Sequence, residues 1–299
     1  MSVPTIDVAP LVTGTGDAGR VADAIDTACR ETGFFSIVGH GVDPELRARL
    51  DRVARDFFAL DDSEKAAIEM ARGGNAWRGW FPVGGELTSG IPDQKEGIYF
   101  GSELPPSDRP LHGPNLFPAR PAEMRAVVLE YLDALTVVGH AVLRGIARAR
   151  RLDENWFAEH ITRDPVILFR IFHYPPTPAG GAQDEAWGVR EHTDYGLLTI
   201  LGQDATGGLQ VKSRSGWIEV PPDPDAFVCN LGDMLERMTS GDYRSTPHRV
   251  RNTSTRGRLS FPFFFDPSWD ARVPNHEGTY GEYLVAKVSK VFPELRQVL

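Results

Sequence analysis

Two histidines and an aspartate carry the sharpest chemical signal in this chain of 299 residues. His192-Thr193-Asp194 stands just before a β-rich run. In extended chain, positions i and i+2 project to one face, so an imidazole and a carboxylate point together. His248 opens a later β-rich run, and strands distant in sequence can lie side by side, so the three groups can converge. Two imidazoles and one carboxylate on one face of an octahedral ion leave three positions open, the arrangement that suits non-haem Fe(II). Zinc is the rival metal, although closed structural zinc sites use four ligands and usually cysteine. A polar strand end with a solvated aspartate has the same pattern, and the triplet alone leaves that reading open.

A second same-face pair, Arg258 and Ser260, opens an apolar run that ends Phe261-Pro262-Phe263-Phe264-Phe265. A guanidinium in such a strand is costly unless it is paired. No acidic residue lies between Val250 and Phe265. The partner could therefore be a ligand carboxylate, which arginine grips bidentately while the serine hydroxyl adds a third bond. The alternative is that Arg258 faces solvent, as Arg249, Arg251 and Arg256 nearby would allow. His40, His112, His140, His160 and His276 have no potential ligand at useful spacing and read as surface or satisfied-core histidines. Trp77, Trp80 and Phe81, in a Gly-rich stretch, either line a pocket or anchor packing. Tyr195, beside Asp194, is the better pocket candidate. Asn252-Thr253-Ser254 matches a glycosylation acceptor, but nothing in the sequence suggests secretion.

The elements that must position these residues change character along the chain. The first half reads mostly helical. Val21, Ala24, Ile25 and Ala28 recur at helical spacing, and Gly33 ends that run. A short β-rich run, Phe34 to Val38, follows. Asp43-Pro44 reads as an N-cap with proline at the first helical position, ahead of an apolar stripe from Leu46 to Phe57. Residues 71–121 read as loops with short strands. Pro121 is expected to open a long helix marked by Met124, Val128, Tyr131, Leu135, Val138 and Val142. From about Asp164, β-rich runs alternate with Gly and Pro signals: Val166 to Tyr174, Leu197 to Leu201, Leu209 to Val211, Trp217 to Val220, Ala226 to Cys229, Arg249 to Arg251 and Leu259 to Phe265. Such spacing argues for a sandwich or barrel, with jelly rolls among the options. Helical spacing returns at about Tyr280 to Val291. The fold class is α+β: helices, a β core and a closing helix.

Composition sets the setting. At 41% hydrophobic and 24% charged, the chain has the make-up of an ordinary globule, and its length fits one elaborated domain. A net charge of −9 repels phosphate backbones and anionic lipid, so neither nucleic acid nor a membrane is expected as a partner. Cys29 and Cys229 show no C-x-x-C spacing, so a reducing, cytoplasmic location is expected. No signal peptide is expected at the N-terminus, and Ala134 to Ala147 reads as too short and too polar for a bilayer span.

The chain resembles the isopenicillin N synthase-like branch of Fe(II)/2-oxoglutarate-dependent dioxygenases over about residues 3–265. The match runs through Val3-Pro4-Thr5-Ile6-Asp7, the segment Gly33 to Val42, Arg78-Gly79-Trp80 with Gly85-Glu86, and Asp93-Gln94-Lys95-Glu96. It continues through His192 to Leu201, Gly207 to Val211, Asn230-Leu231-Gly232-Asp233, Ser245 to Val250 and Arg258-Leu259-Ser260. The resemblance implies a double-stranded β-helix (jelly-roll) core at 164–266, with an N-terminal region at 1–120, a long helical segment at 121–163 and a C-terminal segment at 267–299. It implies that His192, Asp194 and His248 bind Fe(II), and that Arg258 and Ser260 hold the distal carboxylate of 2-oxoglutarate. Tyr174 matches a tyrosine that often touches this cosubstrate, although Phe172 stands where the family motif usually has Asn. The implied activity uses O₂ and 2-oxoglutarate to hydroxylate, desaturate or cyclise a small molecule, releasing succinate and CO₂. Three alternatives are an oxidase of the isopenicillin N synthase type that needs no 2-oxoglutarate, an ethylene-forming fragmentation of 2-oxoglutarate, and a non-catalytic binding jelly roll. The substrate is expected to meet residues 71–100, the loop Pro175 to Gly181 and the C-terminal segment. A monomer is the default.

Overall fold

The side chain of Asp17 accepts a hydrogen bond from Arg20 N at 2.9 Å, and Asp43 accepts one from Glu45 N at 2.8 Å, so both caps satisfy helix-end donors. Gly33 follows the first of these helices at φ +66°, where a Cβ would lie 2.1 Å from Arg244 O. A computed structural model describes residues 2–176, 187–252 and 254–291. In chain order come β1 (Thr5–Asp7), α1 (Ala9–Thr13), α2 (Ala18–Glu31), β2 (Phe34–Val38), α3 (Pro44–Phe58) and α4 (Asp62–Lys65). After two 3-10 turns follow β3 (Gly79–Phe81), a hairpin of β4 (Leu87–Thr88) and β5 (Ile91–Pro92), and β6 (Glu96–Gly101). Next are α5 (Met124–Ala149), α6 (Trp156–His160), β7 (Pro165–Tyr174), β8 (Trp187–His192), β9 (Leu198–Gln203), β10 (Leu209–Ser213) and β11 (Gly216–Val220). The last are β12 (Phe227–Leu231), α7 (Asp233–Met238), β13 (His248–Arg251), β14 (Arg258–Ser268) and α8 (Tyr280–Val291).

Two sheets form the jelly-roll core and face each other without closing into a barrel. The larger has the order β1-β2-β12-β9-β14-β7-β6-β3, and the smaller β11-β10-β13-β8. Four N-terminal strands are therefore built into the large sheet. β2 pairs with the edge of β12, and β6 pairs with β7. These pairings occupy backbone donors and acceptors that an edge strand would leave open.

Strand alternation splits β14 cleanly. Leu259, Phe263 and Phe265 are fully buried on the face packed against the helical layer. Arg258, Ser260, Pro262, Phe264 and Asp266 face the cavity between the sheets. Each fully buried phenylalanine contributes roughly 1.5–3 kcal/mol, which fixes the register and so decides which residues face the cavity.

Two expectations fail on α5. Pro121 does not open it, because Pro121 O accepts Met124 N in a preceding turn and the helix starts at Met124. Nor is the helix short: Met124–Ala149 is long and apolar enough to cross a membrane by length and composition. Here it is the central packing helix, with Val127, Val128, Leu135 and Val142 fully buried.

Candidate active site

β8 and β13 bring the histidine–aspartate triplet together on the smaller sheet. His192 and His248 are direct cross-strand partners. A register shift follows that pair, and through it Val189 and His192, three positions apart, both reach the cavity. His192 Nε2 and His248 Nε2 each lie 3.7 Å from Asp194 Oδ1. One ligand atom from each residue fits within 4.8 Å of the others, so the three could hold a metal ion.

The surrounding bonds leave the right atoms for that ion. His192 Nδ1 donates to Arg190 O at 2.8 Å, and His248 Nδ1 donates to Thr246 O at 3.2 Å. Each Nε2 therefore keeps its lone pair toward the cavity. The second carboxylate oxygen of Asp194 accepts Asn230 Nδ2 at 2.7 Å and the Thr199 hydroxyl. Burial alone would raise the pKa of Asp194, yet the two imidazoles and these hydrogen bonds hold it below the usual carboxylate value. Burial, with the neighbouring His192, pushes His248 down, so its ring is neutral at pH 7. A carboxylate anion and two neutral imidazoles are the protonation states that bind a divalent cation.

Behind Asp194, close approach is built into the sequence. A Cβ on Gly196 would lie 1.5 Å from Asp266 Oδ1, so no other residue fits there without displacing Asp266. Asp266 accepts Leu197 N at 3.1 Å and the Tyr280 hydroxyl at 2.6 Å, tying the segment after Asp194 to β14 and α8. Burial pushes the Asp266 carboxyl up to about 7.

The large sheet supplies a cationic pole. Arg258 has no exposed surface. Its Nε donates to Gly207 O and one terminal nitrogen donates to Gln203 Oε1 at 3.3 Å, while Nη1 is buried with no partner among the described residues. The Tyr174 hydroxyl lies 3.2 Å from Ser260 Oγ, and the Arg258 guanidinium lies 4.6 Å from the Tyr174 ring centroid. A Cβ on Gly188 would meet that ring at 2.3 Å, so the glycine lets Tyr174 lie flat against β8. All six predicted residues line one cavity of about 370 Å³.

Residues 3–120 match the family described as non-haem dioxygenase in morphine synthesis N-terminal, and residues 165–267 match the 2OG-Fe(II) oxygenase superfamily. The chain is 44% identical to a probable iron/ascorbate oxidoreductase of Dictyostelium discoideum, over 92% of this chain and 90% of that one. It belongs to the 2OG-Fe(II) oxygenase superfamily. A homoarginine-6-hydroxylase of Arabidopsis thaliana is 34% identical to this oxygenase, with 97% and 98% covered. A full-length Neurospora crassa protein, solved in complex with alpha-KG, superposes with a TM-score of 0.84 at 26% identity over 96% of each chain. JOX2, solved with 2OG, Fe and JA, gives a TM-score of 0.77 at 28% identity over 93% and 78%.

The oxygenase is thus a non-haem iron enzyme that uses 2-oxoglutarate, and its residues fit both groups. Three convergent N and O ligands suit Fe(II), and the unpartnered Arg258 Nη1 suits a ligand carboxylate. Phe172, in place of the family's Asn, packs edge-on to Phe81 and Tyr99 and leaves the Tyr174 hydroxyl on Ser260.

Other expectations divide. Tyr195 lines the cavity, but Trp77, Trp80 and Phe81 do not. Trp80 instead donates to Glu96 at 3.0 Å, and Phe81 packs on Tyr99, so these rings anchor β3 to β6. Asn252 is buried and donates to the carbonyls of Tyr174, Pro175 and Arg256, which ties the end of β7 to the segment before β14. Residues 71–100 reach the cavity through Glu86, Lys95 and Tyr99 among others, and the C-terminal segment through Leu284 and Val288. Most of the expected loop Pro175 to Gly181 lies outside the described residues.

Sequence reasoning gave no role to the buried network in that wall. Lys95 Nζ reaches Asp93 at 2.5 Å and Glu86 at 2.9 Å, and Tyr99 OH donates to Glu86 at 2.5 Å. Arg170 was also missed. The only available signal was strand parity, since Arg170 shares a face with Phe172 and Tyr174.

Proposed function

We propose that His192, Asp194 and His248 hold the iron, and that Arg258 and Ser260, with Tyr174 beside them, hold the distal carboxylate of 2-oxoglutarate. The oxygenase then oxidises a C–H bond of a small molecule seated in the remaining cavity. The unpartnered Nη1 of a fully buried arginine carries this reading. An isolated guanidinium donor in a dry wall is costly, and a carboxylate is the partner that offsets the cost.

When bound, the iron supplies the one-electron chemistry by which O₂ and 2-oxoglutarate oxidise the substrate, releasing succinate and CO₂. The chain's own residues do the positioning. Asn230 and Thr199 lock one Asp194 oxygen and present the other. The Arg190 and Thr246 carbonyls set both imidazole tautomers. Arg258 and Ser260 orient the cosubstrate, so that orientation is settled before reaction. The apolar wall keeps water from the oxidising centre. Hydroxylation, desaturation and cyclisation differ in where the substrate carbon sits. The acidic surface and two free, buried cysteines support a cytoplasmic setting and a small-molecule partner rather than nucleic acid.

An anaerobic titration of Fe(II)-loaded protein with 2-oxoglutarate, followed by visible absorption, tests the assignment. A saturable charge-transfer band that needs far more ligand in Arg258→Ala is the expected result. Iron binding with no band would overturn the cosubstrate reading and favour an oxidase that does not use 2-oxoglutarate.

A further inference from the structure

A second arginine faces the cavity away from the cosubstrate pole. Arg170 on β7 pairs in register with Tyr99 on β6 and shares its face with Phe172 and Tyr174. It stands four residues from Tyr174 along one strand, or roughly 13 Å. Its guanidinium carbon lies 3.4 Å from the Tyr99 ring centroid and 5.6 Å from that of Phe264. Its Nη1 donates a long bond, 3.4 Å, to Phe169 O, and the guanidinium also hydrogen-bonds the Tyr99 side chain.

The neighbouring buried cation is treated differently. Lys95 forms ion pairs with both Glu86 and Asp93, whereas no carboxylate forms an ion pair with Arg170 among the described residues. The wall near it is mostly apolar, formed by Leu168, Pro262, Phe264, Leu284 and Val288, with Glu86 and Asp266 in the same lining but not ion-paired to it. Stacking on Tyr99 holds the planar fork flat and leaves part of its donor edge free. A charged fork held flat in a mostly apolar recess, with part of its edge open, is built to receive a planar anion.

We propose that Arg170 anchors the primary substrate and that this substrate is a small carboxylic acid with an apolar body. This rests on the reading that Arg258 is reserved for 2-oxoglutarate. A single carboxylate matches the planar fork. A dianion is disfavoured, because Glu86, which accepts the Tyr99 hydroxyl, lines the same cavity. The apolar body lies against Phe264, Leu284 and Val288, so α8 covers the substrate end.

Two pairs of probes test this: octanoate against octanamide, and phenylacetate against phenylacetamide. Each is titrated calorimetrically under argon into Fe(II)- and 2-oxoglutarate-loaded enzyme. At least one acid is expected to bind about tenfold or more tightly than its amide, as one charge-assisted pair implies. Arg170→Gln should erase that preference. Arg170→Lys, which keeps the charge but loses the fork, should retain part of it and serves if the glutamine variant does not fold. Equal binding of acid and amide in the wild type, or a preference unchanged in either variant, would overturn the proposal. The same titrations into metal-free Arg258→Gln protein separate the two readings. Arg170 needs neither iron nor cosubstrate, so the acid preference should persist there. A wild type that fails to bind 2-oxoglutarate but keeps an Arg170-dependent acid preference would count against the cosubstrate assignment alone.

Discussion

The two walls of the cavity are built on opposite plans. On the smaller sheet, each histidine of the triplet is braced by a carbonyl two residues earlier in the chain, Arg190 O for His192 and Thr246 O for His248. On the larger sheet, the arginine poles are braced from far away in sequence: Arg258 by Gly207 and Gln203, Arg170 by the ring of Tyr99. The metal end is locally preorganised and nearly satisfied, whereas the other wall keeps donors in reserve. A centre that must bind one ion gains from rigidity, and a wall that must exchange ligands needs unfilled hydrogen-bonding capacity.

Asp194→Ala strikes the preorganised wall hardest. Iron binding and iron-dependent turnover should both fall below detection, and a variant with wild-type activity would remove the triplet from the mechanism. Arg258→Ala tests the other wall. Loss of a charge-assisted grip predicts 2-oxoglutarate binding weaker by about 10–100-fold, with Fe(II) affinity little changed when measured by competition with a chelator. If iron binding falls as far as cosubstrate binding does, the two walls are not separable. Asn230→Ala leaves the ligands in place but frees one Asp194 oxygen, so iron affinity should drop about 10-fold or more.

Asp266 joins the walls, and its effect is on stability. Burial raises its pKa to about 7, so between the ordinary carboxylate range and that value the folded protein holds a proton that the unfolded chain releases. Metal-free stability should therefore fall as pH rises through this window. Asp266→Asn, which can still accept Leu197 N, should flatten that slope in denaturant titrations at several pH values. An unchanged slope would show that Asp266 ionises normally. Tyr174→Phe should have the smallest effect. It removes one hydroxyl contact to Ser260 and should weaken 2-oxoglutarate binding by about 2–10-fold.

Much of the site was legible because its signals are short-range. His192 and Asp194 lie two positions apart, as do Arg258 and Ser260; that spacing suffices for the second pair, within β14, whereas Asp194 lies past the end of β8 and is set by Thr199 and Asn230. The β-rich runs after Asp164 gave most of the core strands to within two or three residues, but missed β8 (Trp187–His192), the strand that ends on His192. Less legible was how the N-terminal half joins. Phe34 to Val38 reads as a strand, but nothing local says that it completes the large sheet beside β12. Pro121 read as a helix opener, although Pro121 O instead closes a turn onto Met124 N. In the Gly-rich stretch 71–121 the sequence left pocket and anchor roles open for Trp80 and hid the Lys95–Glu86–Asp93 network, since their partners come from a hairpin and from neighbouring strands.

The sequence by itself determined the candidate metal-ligand types, the apolar strand that carries Arg258, and a β core framed by helices. These follow from residue chemistry and from periods of two and three to four, which any stretch of chain expresses locally. Tertiary structure decided which donors stay unpaired. Arg258 and Arg170 look alike in one dimension, as arginines on apolar strands. Their meaning depends on Gly207, Gln203 and Tyr99 around them, and only packing of distant strands sets that inventory, because burial, complete for Arg258 and partial for Arg170, decides how much an unfilled donor costs.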